Sequence, residues 1–137
     1  MSLMTLYESN YIRLGWLIPD LRRITGSVTS AVAGGPVLEI AVLEQCRYTT
    51  TLGMSYLFEE GAAAARRRDP ALEVRVYHDA RLAEACGTAA DPAHPRLLRL
   101  ARVIPRDHGH RWSCNMLLNK WLEYCAGSGH RFALPAA

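Results

Sequence analysis

The sequence predicts an α+β fold: an antiparallel meander sheet of about five strands, with an N-terminal helical segment and a C-terminal helix packed on one face. Two observations carry that prediction. Apolar residues recur at helical spacing only near the two ends, at Leu3, Tyr7, Tyr11, Leu14 and Ile18, and again at Leu118, Trp121, Leu122 and Cys125. Between them lie runs rich in Val, Ile, Thr and Tyr, separated by short polar or glycine-containing breaks. Strands in succession flanked by helices form a sheet with its helices segregated to one face.

The elements follow in order. Pro19 ends the first helix and can open a short second turn over Asp20–Ile24, closed by Gly26. Ser27–Ala33 reads as a first strand, and Gly34-Gly35 as a tight hairpin turn. Val37–Phe58 is strand-like throughout. Its 22 residues would span about 70 Å if unbroken, too far for a domain of this size. It must turn, and Glu44–Arg47 is its most polar point. Glu59–Ala71 is expected as a loop, with one helical turn through Ala62–Ala65. Leu72–Tyr77 alternates as a fourth strand, His78-Asp79 makes a tight turn, and Ala80–Cys86 is the fifth strand. Residues 87–95 are loop by their Gly and Pro content, and 96–103 fit helix or strand equally. Ser113 is placed to cap the last helix, which Gly127 and Gly129 stop.

The chain has 137 residues, half of them hydrophobic and 21% charged, which is enough to bury a core and excludes a disordered or fibrous chain. One domain, residues 1–137, is expected. The longest uncharged stretch, Ile24–Leu38, has 15 residues and contains Gly, Pro and Ser, so no membrane-spanning helix is expected. Glu8 interrupts the first apolar run, so the opening residues do not read as an export leader, and a cytoplasmic location follows. The net charge of +3 conceals an asymmetry: residues 1–60 carry four basic and six acidic side chains, residues 61–137 twelve and seven. All but Lys120 of the basic residues are Arg. Cys46, Cys86, Cys114 and Cys125 form no C-x-x-C pair and are expected as free, mostly buried thiols. Cys46 stands beside Arg47, the one neighbour that could activate a thiol.

Four segments resemble the YqiB-like family of small bacterial proteins, a domain of unknown function. They are Leu3–Leu21 (LMTLYESNYIRLGWLIPDL), Glu44–Thr51 (EQCRYTTT), Val74–Cys86 (VRVYHDARLAEAC) and Asn115–Cys125 (NMLLNKWLEYC). VRVYHDA followed by AE is the most specific of them. The segments cover 51 residues, and the sequence departs from the family pattern in Glu60–Arg68, in Asp107–Cys114 and after Gly127. The resemblance implies a bacterial cytoplasmic protein of no assigned activity, from a family whose members tend to be encoded near nucleotide-cleaving hydrolases.

In an up-and-down meander alternate turns share one end of the sheet. The Glu44–Arg47 turn and the His78-Asp79 turn should therefore lie together. Glu44, Arg47, Tyr48, His78 and Asp79 form the candidate site, with Arg75 and Tyr77 just below on one face, and Glu84 on the next strand. A His beside carboxylates can act as a general base, and two Arg can hold a phosphate or carboxylate. The same residues can also be consumed as an Asx-type turn with cross-strand ion pairs. G-x-S-x-G, G-x-x-x-x-G-K and H-E-x-x-H are absent, so no catalytic residue is assigned and the balance leans away from an enzyme. Asp107-His108-Gly109-His110 with Cys114 has metal-ligand chemistry but reads as a polar connection, so neither metal nor cofactor is expected. The aromatics belong to the helices rather than to a base-stacking strand face, apart from Tyr77 and Tyr48 beside Arg75 and Arg47. Three functions compete: binding of a small anionic ligand or protein partner at that sheet end, nucleic-acid binding by the Arg-rich second half, and a hydrolase or lyase using His78.

Overall fold

The computed structural model describes residues 1–60, 65–86, 95–104 and 109–134. Its elements are α1 (Leu3–Leu17), a 3-10 turn (Leu21–Arg23), β1 (Ser27–Ser30), β2 (Val37–Gln45), β3 (Thr49–Glu60), β4 (Ala65–Tyr77), β5 (Leu82–Cys86), α2 (Pro95–Arg102) and α3 (His110–Gly127). The strands pair antiparallel in the order β1-β2-β3-β4-β5, the meander expected. No helix among the described residues is long and apolar enough to cross a membrane.

Helix α1 begins where Ser2 accepts a hydrogen bond from the Thr5 amide at 3.1 Å. It ends at Leu17, because Pro19 drives Ile18 out of the helical region. Its inner stripe, Leu6, Asn10, Leu14 and Leu17, is buried. Facing it on the sheet are Ile40, Leu52, Met54, Val74, Val76, Ala83 and Ala85. Helix α3 lies beside α1 and adds Leu118, Trp121, Leu122 and Cys125 to the same core. Tyr56 of β3 meets Trp121 edge to face at 5.4 Å between centroids. Burial pushes the Cys125 thiol up to about 12, so it packs as an inert hydrophobe.

The β5 edge is closed by side chains, and the C-terminal segment fastens to the last residue of β1. At β5, Asn115 accepts from the Ala85 amide at 2.7 Å and donates to the Ala85 carbonyl at 3.4 Å. Asn10 donates to the Ala83 carbonyl at 3.3 Å, and Asn119 ties back to Asn10 at 3.0 Å. Three buried amides thus take the place of a sixth strand. At β1, His130 and the Arg131 amide bond to the Ser30 hydroxyl at 2.9 and 3.2 Å. Phe132 then plugs into the core, its amide donating to the Leu17 carbonyl at 2.7 Å.

Several expectations need correction. Glu59–Ala71 is not a loop: Glu59, Glu60 and 65–71 extend the β3–β4 hairpin, with Glu59 opposite Arg66 in register. A hairpin arm reaching past Val37, where β2 pairing stops, needs no alternating apolar residues, so composition carries no strand signal there. The register shift facing Met54–Tyr56 falls at Pro70–Ala71, where β5 does not pair and a missing amide is harmless. Of the helical turn expected through Ala62–Ala65, Ala65 belongs to β4 and the rest lies outside the described residues. Strand β1 is shorter than expected and β5 starts at Leu82 rather than Ala80. The ambiguous 96–103 is helical, as α2. Helix α3 begins at His110 behind Gly109 (φ 91°), not at Ser113, so Gly109 supplies a left-handed entry in place of a side-chain cap. Most of the loop expected over 87–95 lies outside the described residues. Only one cysteine, Cys125, is a core residue; Cys46 is exposed and Cys86 and Cys114 are half-buried, all four being free thiols.

Candidate ligand-binding cleft

The two turns do share one end of the sheet. Thr49 pairs with Tyr77, Gln45 with Thr50, and the His78 amide donates to the Tyr48 carbonyl at 2.9 Å. Strand alternation, however, divides the candidate residues between two faces. Val74, Val76 and His78 point to the helix-covered face. Arg75, Tyr77 and Glu84 point to the other.

On the open face Tyr77 donates to Glu84 at 2.6 Å, and Arg75 interacts with Tyr77. The Glu84 hydrogen bond, ahead of burial, holds the Tyr77 phenol above its ordinary pKa. Tyr7 of α1 also reaches Glu84 from beyond the β5 edge. The Glu84 carboxylate is thus taken by a tyrosine hydroxyl, and the ion pairs of Arg75 and Arg47 with carboxylates allowed for in the sequence reading do not occur among the described residues. At the hairpin tip, Cys46 donates to Glu44 at 3.2 Å while the Arg47 guanidinium lies over the Tyr48 ring at 5.2 Å. Arg47 is thus turned to an aromatic face rather than to the Cys46 thiol. Asp79 is exposed.

On the covered face His78 has a different setting. Its Nε2 lies 2.7 Å from the Thr50 hydroxyl, and Thr50 is fully buried. Its Nδ1 has no hydrogen bond to the described residues and the ring borders a cleft of about 340 Å³. The cleft opens between the C-terminal end of α1, the 3-10 turn and the end of β4. Leu14, Ile18, Leu21 and Val76 form its apolar floor, while Tyr11, Asp20, Arg22 and Arg23 stand on its rim. Arg23 pairs loosely with Asp20 at 3.8 Å. Arg22 enters no ion pair among the described residues, and its carbonyl is held by the Gln45 side-chain amide at 3.3 Å, tying the 3-10 turn to β2. Burial first, and the Arg22 charge second, hold the His78 imidazole below its ordinary pKa, with Asp79 opposing weakly.

The chain matches, over residues 13–131, the model of a family described as protein of unknown function (DUF1249). The chain belongs to this family. It is 28% identical over 140 residues to the uncharacterized protein YqiB of Escherichia coli strain K12, the match covering 98% of this chain and 92% of that protein. The YqiB proteins of E. coli O6:H1 and O157:H7 match with the same identity and coverage. No solved structure matches. The family description and its relatives' names assign no activity, and the resemblance read from the four segments is to this group.

Sequence reasoning missed Tyr11, Gly15, Arg22 and Arg23, all assigned to scaffold in the N-terminal helical segment. A signal was present: two adjacent Arg directly after a Pro-terminated helix place two cations at one chain reversal. Of the metal-like cluster, Asp107 and His108 lie outside the described residues. His110 Nε2 and Cys114 Sγ are 3.4 Å apart one helical turn along α3, and no group of three metal-ligating side chains occurs among the described residues.

Proposed function

We propose that this protein is a cytoplasmic, single-domain binding protein that holds a small anionic ligand in the cleft beneath the 3-10 turn. Its expected contacts are the Arg22 and Arg23 guanidiniums and His78 Nδ1, with the ligand's apolar portion against Ile18, Leu21 and Val76. One observation carries the reading: cationic groups and a hydrogen-bonding imidazole converge on a cleft whose floor is apolar, the composition of a small-molecule site. Binding is favoured over acid–base chemistry because His78 is oriented by the Thr50 hydroxyl and not by a carboxylate. Glu84, a candidate partner for it, is committed to Tyr77 on the opposite face. Four free thiols fit a reducing compartment.

Calorimetric titration with inorganic phosphate and with succinate tests the proposal. Arg22→Glu should weaken binding of either anion by about tenfold or more, and His78→Ala by somewhat less. Unchanged affinity in both variants would refute the assignment.

A further inference from the structure

A second cleft, of about 450 Å³, adjoins the first. It is bounded by Met4, Glu8 and Ile12 of α1 and by Ala80, Arg81 and Leu82 of the β4–β5 turn. Tyr11 lines both clefts, which follow one another along the flank of α1 from Met4 to the 3-10 turn as a groove with Tyr11 at its middle. The 14-residue interval from Met4 to Ile18 corresponds to about 21 Å of helix. That length accepts about six residues of extended chain.

The groove's chemistry is not that of an ordinary solvated helix flank. Met4 is 54% and Ile12 56% exposed, large apolar side chains on the face of α1 turned away from the core. Exposed apolar surface arranged along a groove, rather than scattered, marks an interaction site. Its charges are asymmetric as well. Arg22 and Arg81, one in each cleft, enter no ion pair among the described residues. Arg23 forms the loose Asp20 pair, and Glu8 is the second carboxylate beside three guanidiniums. Arg81 has a left-handed backbone, φ 57°, a conformation that non-glycine residues seldom adopt. That turn presents at the groove a cation with no ion pair among the described residues, rather than the glycine or asparagine that would relieve it.

We propose that the groove binds an extended peptide segment of a partner protein, apolar and acidic in composition, running along α1 with carboxylates at Arg81 and Arg22. This rests on the anion reading of the cleft and deepens it: the anion is a carboxylate carried on a peptide. Apolar side chains of the segment pack on Met4, Tyr11 and Ile12, where the flexible Met4 adapts to different shapes. The positive excess along the groove selects acidic over basic sequences.

Random octapeptides displayed on phage are selected on the full-length chain, and enriched peptides are synthesised and titrated beside succinate. Selection should return peptides with apolar and acidic residues that bind at least about tenfold more tightly than succinate. Ile12→Glu and Arg81→Glu, both at exposed positions, should each weaken the peptide about tenfold and leave succinate affinity unchanged, while Arg22→Glu weakens both. Succinate binding with no enriched peptide, or with peptides insensitive to Ile12→Glu and Arg81→Glu, overturns the inference and leaves the anion site standing. Failure of succinate as well as of peptides removes both. Enrichment of basic sequences, or binding only to phosphatidylglycerol vesicles, overturns the inference.

Discussion

Gly15 tests the cleft most directly, because stability and binding should respond to it with opposite signs. It lies in the last turn of α1, exposed, on the wall of the cleft. A Cβ built there meets no atom within 4 Å, so neither crowding nor a left-handed backbone requires glycine. Glycine inside a helix costs about 0.5–1 kcal/mol relative to alanine through the backbone entropy it loses on folding. Gly15→Ala should therefore stabilise the protein by about that amount, a factor of roughly two to five in the folding equilibrium. At this chain length the midpoint of thermal unfolding should rise by about 2–5 °C. Gly15→Trp should fold as well as the parent, yet place an indole in the cleft and weaken phosphate and succinate by about tenfold or more. Urea unfolding followed by circular dichroism gives the first quantity and calorimetric titration the second. A destabilised Gly15→Ala would mean that the space beside Gly15 is not open. Undiminished anion affinity in a folded Gly15→Trp would mean that the anion binds elsewhere.

Three further outcomes follow from the same geometry. Asn115→Leu leaves the Ala85 amide and the Asn10 side chain without their partner in a dry setting, and should cost about 3 kcal/mol, or roughly 2 M in the urea midpoint; a shift below about 0.5 M would contradict the edge-closing role. Phe132→Ala removes a buried ring that anchors the C-terminal segment across β1 and α1, and should cost about 3 kcal/mol in the same measurement. His78 and His130 are both held below the ordinary imidazole value, chiefly by burial, so below about pH 6.5 the unfolded chain binds more protons than the folded one. Stability should be level above about pH 6.5 and fall as pH drops through the folded-state values; a His78→Gln, His130→Gln variant should lose most of that slope, and a parent protein with no slope between pH 7 and 5 would refute it.

The fold was legible wherever periodicity reports burial. The α1 stripe, the alternation in Leu72–Tyr77 and the α3 stripe all recur because each faces the one core. It was illegible where burial does not set the composition. The β3–β4 arm past Phe58 reads as loop because no β2 residue pairs beyond Leu57. The start of α3 escaped because a left-handed Gly109 does the work that a Ser or Asp cap announces in sequence. For the site, chain order correctly brings Glu44–Arg47 beside His78-Asp79, since meander connectivity alone fixes which turns share an end. Which residues could act together was not fixed by proximity in sequence. A period of two sends Tyr77 and His78 to opposite faces, so the residues that meet His78 come from the N-terminal segment.

The position of the cleft is a consequence of connectivity. Helix α1 packs by β5, at one edge of the sheet, yet the strand that follows it is β1, at the other. The C-terminal end of α1 already leans across the sheet, the Leu17 carbonyl accepting from the Phe132 amide while the neighbouring Arg131 amide bonds Ser30 of β1, so the chain from Ile18 to Gly26 has only the remaining distance to β1 to cover. It crosses at the end of the sheet where both turns lie, because Ser27 opposes Ala41 near the outgoing end of β2. Nine residues could reach farther than that, so the slack is taken up in the 3-10 turn, pinned to β2 by the Gln45–Arg22 bond. A connection that spans a twisted sheet end cannot seal against every strand beneath it. The space left over β4 is the cleft, floored by Val76 and flanked by His78. An aliphatic residue at position 78 would extend the apolar floor set by Val74 and Val76 and stabilise the fold by burial alone. Histidine there, with Nε2 fixed by a buried threonine and its ring bordering an opening rimmed by arginines, adds nothing to the core that an aliphatic residue would not. What it adds is a ring nitrogen without a hydrogen bond among the described residues at the border of the cleft, and on the proposed function that favours the end of β4 over the charged face of Arg75 and Glu84 as the place to test for a ligand.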